Sequence, residues 1–179
     1  MKTIDNYIKE AVSEKDQSIL DLLNAFAKMS SGVQQALFQE KSKNADSIEH
    51  IESMEEILSK EEMGHIKKYI RPKPKMCYEN AFKVAEYLEE TGHDAKYVEG
   101  FINMKGLPIE HAFVQVDGKF IDPTIELGLG KDPNNDSYVY YAIIDINDCR
   151  KILVDNGFWG QIFDTMFLNK YKENVKITA

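Results

Sequence analysis

Apolar residues recur at helical spacing through residues 1–70 and alternate between helical and strand spacing beyond them. After Asp16, the positions Ile19, Leu20, Leu22, Leu23, Phe26 and Met29 predict a helix capped by Asp16 and broken at Ser30-Ser31-Gly32. Val33, Leu37 and Phe38 mark a second helix ending near Lys43-Asn44. Ile48, Ile51, Met54, Ile57 and Leu58 fit a third, capped by Asp46 or Ser47. Ser59-Lys60-Glu61-Glu62 has the form of a capping box for a short fourth helix through Ile66, Tyr69 and Ile70. No strand signal is visible in this half. Its methionines, Met29, Met54 and Met63, read as gap-filling core rather than as a partner surface.

Arg71-Pro72-Lys73-Pro74-Lys75 cannot continue a helix and sets the boundary between a helical cap or docking subdomain, residues 1–70, and an α+β core, residues 71–179. With Lys67 and Lys68 it forms a basic cluster, read as a solvated linker. Cys77, Ala81, Val84, Ala85 and Leu88 then form one apolar stripe of a helix stopped by Gly92. Ala95 to Met104 reads as a strand, and Lys105-Gly106-Leu107-Pro108 as a turn. Thr124 to Asp136, rich in Gly, Pro, Asn and Asp, reads as a loop. Ser137 to Ile146 is a strong strand, followed by a short helix capped by Asn147 or Asp148 and ended at Asn156-Gly157. Phe158-Trp159 and Ile162 to Tyr171 complete the chain as an apolar terminal helix packed on the sheet.

Between the two strand regions lies Glu110-His111-Ala112-Phe113-Val114-Gln115-Val116-Asp117-Gly118-Lys119-Phe120-Ile121-Asp122-Pro123-Thr124. Asp117-Gly118 is the signal of a two-residue hairpin turn, whose central residues prefer φ > 0. With those two residues as the loop, Val116 faces Lys119 and Phe113 faces Asp122. His111 shares a face with Phe113 and becomes a diagonal neighbour of Asp122. Ala112, Val114, Val116 and Ile121 form the opposite, core-facing side. Glu110 alternates away from His111 and is expected to be exposed.

Composition changes this picture little. The chain has 179 residues, 43% of them hydrophobic and 29% charged, which suits one domain with an appendage. A formal net charge of −8 argues against non-specific binding to nucleic acid or to an anionic membrane. No apolar run reaches the length of a membrane span, and the first residues lack a signal-peptide pattern, so a cytoplasmic location is expected. Two cysteines, Cys77 and Cys149, imply no disulfide framework, and no spacing of Cys, His and carboxylates suggests zinc. No metal or cofactor is expected.

The order of residues does carry chemistry. A thiol at a helix N-terminus meets orphan backbone N–H groups and the positive end of the helix dipole, which favour the thiolate and can hold an oxyanion. A histidine on a neighbouring strand can move the protons, and an aspartate can fix its tautomer. Cys77, His111 and Asp122 fit these roles. Asn80, one turn after Cys77, and Glu99, inside an apolar strand, are further candidates for orienting the site or binding substrate, since buried polar groups need partners. Cys149 reads as packing, and His50, His65 and His93 receive no role.

The blocks Cys77-Tyr78-Glu79-Asn80-Ala81, Tyr97-Val98-Glu99-Gly100-Phe101, Pro108-Ile109-Glu110-His111-Ala112-Phe113 and Ile121-Asp122-Pro123-Thr124 resemble the transglutaminase-like branch of the papain-like cysteine fold. More narrowly, they resemble a family of small uncharacterised bacterial and phage proteins. The resemblance spans roughly residues 71–145. It implies a Cys-bearing helix packed on an antiparallel sheet and assigns nucleophile, general base and orienting carboxylate to Cys77, His111 and Asp122. Phe113 stands where the family often has Trp. No glutamine shortly precedes Cys77, so the oxyanion hole falls to backbone N–H groups near Cys77 or to another side chain.

The expected activity is hydrolysis of a peptide-like amide or isopeptide bond through an acyl-enzyme, with a peptide or protein substrate. An acyltransferase or deamidase with the same triad, or an inactive papain-like binding module, are the alternatives. The N-terminal helices are a candidate surface for a protein partner.

Overall fold

The structure is a computed structural model that describes residues 4–157 and 160–177. Two long helices, α1 (Ile4–Met29) and α2 (Gly32–Asn44), open the chain. Then come the short strand β1 (Asp46–Ile48), the one-turn helix α3 (Met54–Ile57), and α4 (Lys60–His65), which runs on as a π-helical turn through Ile70. The helix α5 (Cys77–Glu90) precedes strands β2 (Ala95–Met104), β3 (Leu107–Val116) and β4 (Lys119–Ile121). After β5 (Ser137–Asp145), the helices α6 (Ile146–Asn156) and α7 (Ile162–Ile177) complete an α+β fold.

The five strands form one antiparallel sheet in the order β1-β5-β2-β3-β4. On one face, Ala112, Val114, Val116 and Ile121 pack with Ala81, Val84, Ala85 and Leu88 of α5. On the other, Val98, Ile102, Phe113 and Tyr138 pack with Ile48, Ile51 and Ile125. The β2–β5 register slips between Glu99 and Gly100. Gly100 allows this, because a Cβ there would lie 2.1 Å from the Val139 carbonyl oxygen.

Several expectations from the sequence are corrected. Asp16 is not a cap; it lies inside α1, which begins at Ile4. The third helix predicted from Asp46 or Ser47 is a strand followed by loop, and only Met54–Ile57 is helical, capped by the Ser53 side chain. The reason is nonlocal: Asp46, Ser47 and Ile48 pair with Tyr140, Val139 and Tyr138 at the edge of β5. Asn134 then holds the extended backbone at Ile51, accepting from its N–H at 3.2 Å and donating to its carbonyl at 2.7 Å. The turn after β2 is confined to Lys105-Gly106, and Leu107 and Pro108 already belong to β3. The segment after Asp122 is not loop throughout, since Thr124–Gly128 is a π-helical turn and Pro133–Asn135 a 3-10 turn. Asp145, rather than Asn147 or Asp148, occupies the N-cap of α6.

Other expectations match. The Ser59–Glu62 capping box is present in both directions, and Gly157 ends α6 at φ 70. Met54 and Met63 are core residues, whereas Met29 is exposed. Cys149 is buried in the main core, where burial pushes its thiol pKa up. Phe158 and Trp159 lie outside the described residues. No helix among the described residues is long and apolar enough to cross a membrane.

Candidate active site

The β3–β4 hairpin has the expected register. Val116 pairs with Lys119 and Val114 with Ile121, around a turn with Asp117 at φ 50 and Gly118 at φ 80. His111 and Asp122 meet: ring Nε2 lies 2.6 Å from Asp122 Oδ2. Asp122 is completely buried. Its Oδ2 also accepts from the Tyr138 hydroxyl at 2.9 Å, and its Oδ1 accepts from the backbone N–H groups of Thr124 and Ile125 at 2.9 and 3.0 Å. Four donors therefore converge on one carboxylate and leave it no freedom to turn away from the ring. The ring sits against the apolar face, 6.3 Å between centroids from both Phe113 and Tyr138.

Cys77 is the first residue of α5, half-buried, and close enough to His111 for its side chain to raise the ring pKa. With Nε2 committed to Asp122, Nδ1 is the ring nitrogen left for the sulfur. The N–H groups of Cys77, Tyr78 and Glu79 have no acceptor within the helix, so they and the dipole face whatever charge develops at the sulfur or beside it. α5 and the His111 ring lie against opposite faces of β3. The outer edge of β3 carries no strand at His111, because β4 pairs only with Val114, Gln115 and Val116.

Burial alone would hold the His111 ring neutral. The Asp122 charge and hydrogen bond, reinforced by Cys77, outweigh it and raise the ring pKa to about 10. The pair is thus biased toward an imidazolium beside the sulfur.

The buried Asn80 amide is engaged by other partners. Its Oδ1 accepts from the Lys73 N–H at 3.1 Å, and its Nδ2 donates to the Lys73 carbonyl at 2.7 Å and to Thr124 Oγ1 at 3.0 Å. It clasps the segment before Cys77 to the turn after Asp122. Arg71 and Lys75, at φ 53 and 63, carry that segment through left-handed conformations. Glu99 is fully buried and accepts from the Tyr97 hydroxyl at 3.0 Å, the Ile162 N–H at 2.5 Å and the Phe163 N–H at 3.3 Å. It caps α7, and burial raises its pKa to about 7 against those donors.

Glu110 is not the exposed residue that strand alternation predicts. It is half-buried, accepting from Lys41 at 2.7 Å and from Gln161. Lys41, Gln161 and Tyr138 carry no motif and were missed. Strand parity pairs Tyr138 with Ile102 only once the β2–β5 register is known. His93, given no role, bridges Asp117 at 2.6 Å and Glu62 at 2.8 Å, tying α4 to the hairpin turn.

Among the described residues, no group of three or more His, Cys, Asp or Glu side chains is placed to hold a metal ion. In comparisons with known proteins, no family model, no curated protein and no solved structure matches this chain.

Proposed function

We propose that this chain is a cysteine-nucleophile hydrolase of peptide-like amides, with the papain/transglutaminase-like core its motif blocks resemble. One observation carries the reading: the His111 ring is hydrogen-bonded to a buried carboxylate and lies beside a thiol that opens a helix.

Cys77 Sγ attacks the amide carbonyl carbon, and the oxyanion is held by the free N–H groups of the first helical turn. The His111 imidazolium gives its proton to the departing amine, leaving a thioester on Cys77. Acylation removes the thiol that helps to raise the ring pKa, so more of the His111 ring is neutral and free to take a proton at the moment a water must be deprotonated. Water attack then releases the acid, and the proton returns to the thiol–imidazole pair. Asp122 holds Nε2 throughout.

The test is trapping with an activated peptide ester followed by peptide mapping. The expected result is a thioester on Cys77 that is absent in His111→Ala and that turns over with water. Equal, slow modification of Cys77 in the wild type and in His111→Ala overturns the reading and leaves a cleft that only binds.

A further inference from the structure

We propose that Glu110 is a positioning residue for the Cys77–His111 pair, joining the N-terminal helices and α7 to the strand that carries His111. This rests on the hydrolase reading for its catalytic meaning, and on geometry for everything else. Lys41 lies on α2 with 1% of its side chain exposed. Its ammonium donates to Glu110 Oε1 at 2.7 Å, sits 2.7 Å from Asp164 Oδ1 of α7, and lies 4.8 Å from the centre of the Tyr141 ring. A buried ammonium is costly unless paired, so the two carboxylates and the lysine hold one another in place.

The second Glu110 oxygen accepts from Gln161 Nε2, and the Gln161 side chain lies close enough to the Tyr78 hydroxyl to act on its ionisation. Glu110 directly precedes His111, and Tyr78 directly follows Cys77. The chain of contacts Glu110–Gln161–Tyr78 thus spans the same gap as His111–Cys77, one residue away on each side. Glu99 fixes the end of α7 beside Gln161 through the Ile162 and Phe163 N–H groups.

The bracing matters because β3 is secured on one side only at this point. β4 reaches no further than Val114, so among the described residues no strand steadies the outer edge at His111. A displacement of about 1 Å between reacting groups can cost on the order of a hundredfold in rate. Lys41 therefore makes α2 part of the frame of the site.

The experiment uses the full chain and two variants that break the brace differently. Glu110→Gln removes the charge that pairs with Lys41, which keeps Asp164. Gln161→Ala removes the link to Tyr78 and leaves the ion pairs intact. The readouts are the NMR titration of the His111 ring, the pH profile of Cys77 alkylation by iodoacetamide, and a melting curve. Both variants are expected to melt cooperatively, to lower the His111 titration point by about one unit or more as the thiol contact loosens, and to slow alkylation at neutral pH about tenfold. Lys41→Arg, which keeps the charge, is expected to stay near wild type. A folded Glu110→Gln or Gln161→Ala protein with an unchanged titration and alkylation profile overturns the proposal. The ring titration needs no substrate, so the two failures separate. If the wild type cleaves no amide but the variants shift the titration, the hydrolase reading falls and the brace stands. If the wild type cleaves amides and the variants match it in every readout, the brace falls alone.

Discussion

His111 and Asp122 are eleven residues apart in sequence and 2.6 Å apart in space because the turn between their strands holds two residues. The alternation of a strand has period two, so one added residue moves a side chain to the opposite face. Inserting a glycine between Asp117 and Gly118 is expected to keep the core-facing residues of β3 in place and to turn Asp122 away from the ring. His111 then titrates near or below its ordinary 6.5 instead of near 10. NMR titration of the ring checks this. A ring that still titrates near 10 in a folded insertion variant refutes the parity argument.

Removing the carboxylate should act on stability as well as chemistry. Asp122→Ala leaves the His111 ring, the Tyr138 hydroxyl and two backbone N–H groups without their acceptor, a loss on the order of 3–5 kcal/mol. The pH dependence has a definite sign. The His111 pKa is raised on folding, so its stabilisation is complete below about 6.5 and is lost as pH rises toward about 10. Chemical denaturation across pH 6–10 should show the gap between wild type and Asp122→Ala narrowing as pH rises. Asp122→Asn, which preserves shape, serves if the alanine variant does not fold. A gap that is constant over this range contradicts the assignment.

The hairpin was legible because its information is local. Asp117-Gly118 names the turn, and the turn dictates which side chains share a face. The capping box at Ser59 and the stop at Gly157 were legible for the same reason. β1 was not, because Ile48, Ile51 and Met54 satisfy helical spacing equally well. Only the unpaired edge of β5, about ninety residues away, makes Asp46–Ile48 a strand. Glu110 read as a surface charge, and Lys41 carried no signal, for a related reason. Each is buried by elements that meet only in the folded chain, and neither the sign nor the spacing of a charge tells which partner will cover it. Gln161 sits far from Cys77 in sequence, so a search for an amide just before the cysteine passes over it.

His93 ties the cap of α4 to the hairpin turn, and its protonation state sets how strongly. Hydrogen bonds to Asp117 and Glu62 raise its pKa above 6.5, so this contribution is complete below 6.5 and declines as pH rises through the raised value. Asp117 is lowered from 3.8 by the His93 hydrogen bond. Burial of Glu62 opposes its shift, and the Ser59 hydrogen bonds and His93 overcome it, lowering it from 4.5. Both acidic contributions are present above those values and are lost as pH falls through the lowered ones. His93→Gln should therefore lower the melting temperature most between about pH 4.5 and 6.5 and progressively less toward pH 9. Melting curves of both proteins across pH 3–9 give the comparison, and a difference that grows above pH 7 rules the clamp out.

Asn80 makes a last, separable prediction about how Cys77 is presented. Its three hydrogen bonds fasten Lys73 to α5 and to Thr124. Between Lys73 and the cysteine, Lys75 adopts φ 63, a conformation that a lysine does not favour on its own. Packing adds to the restraint, since a Cβ on Gly128 would lie 3.1 Å from the Lys73 carbonyl carbon. Asn80→Ala strands the Lys73 backbone groups and is expected to cost about 2–3 kcal/mol. With that clasp gone, the segment should open locally well before the rest of the protein unfolds. Hydrogen exchange reports this directly, with faster exchange at Lys73 to Met76 and unchanged protection in β2 and β5. Limited proteolysis should then cut within 71–76 in the variant and not in the wild type. If protection there is equal in both proteins, Asn80 is a passive core residue, and Cys77 is presented by α5 alone.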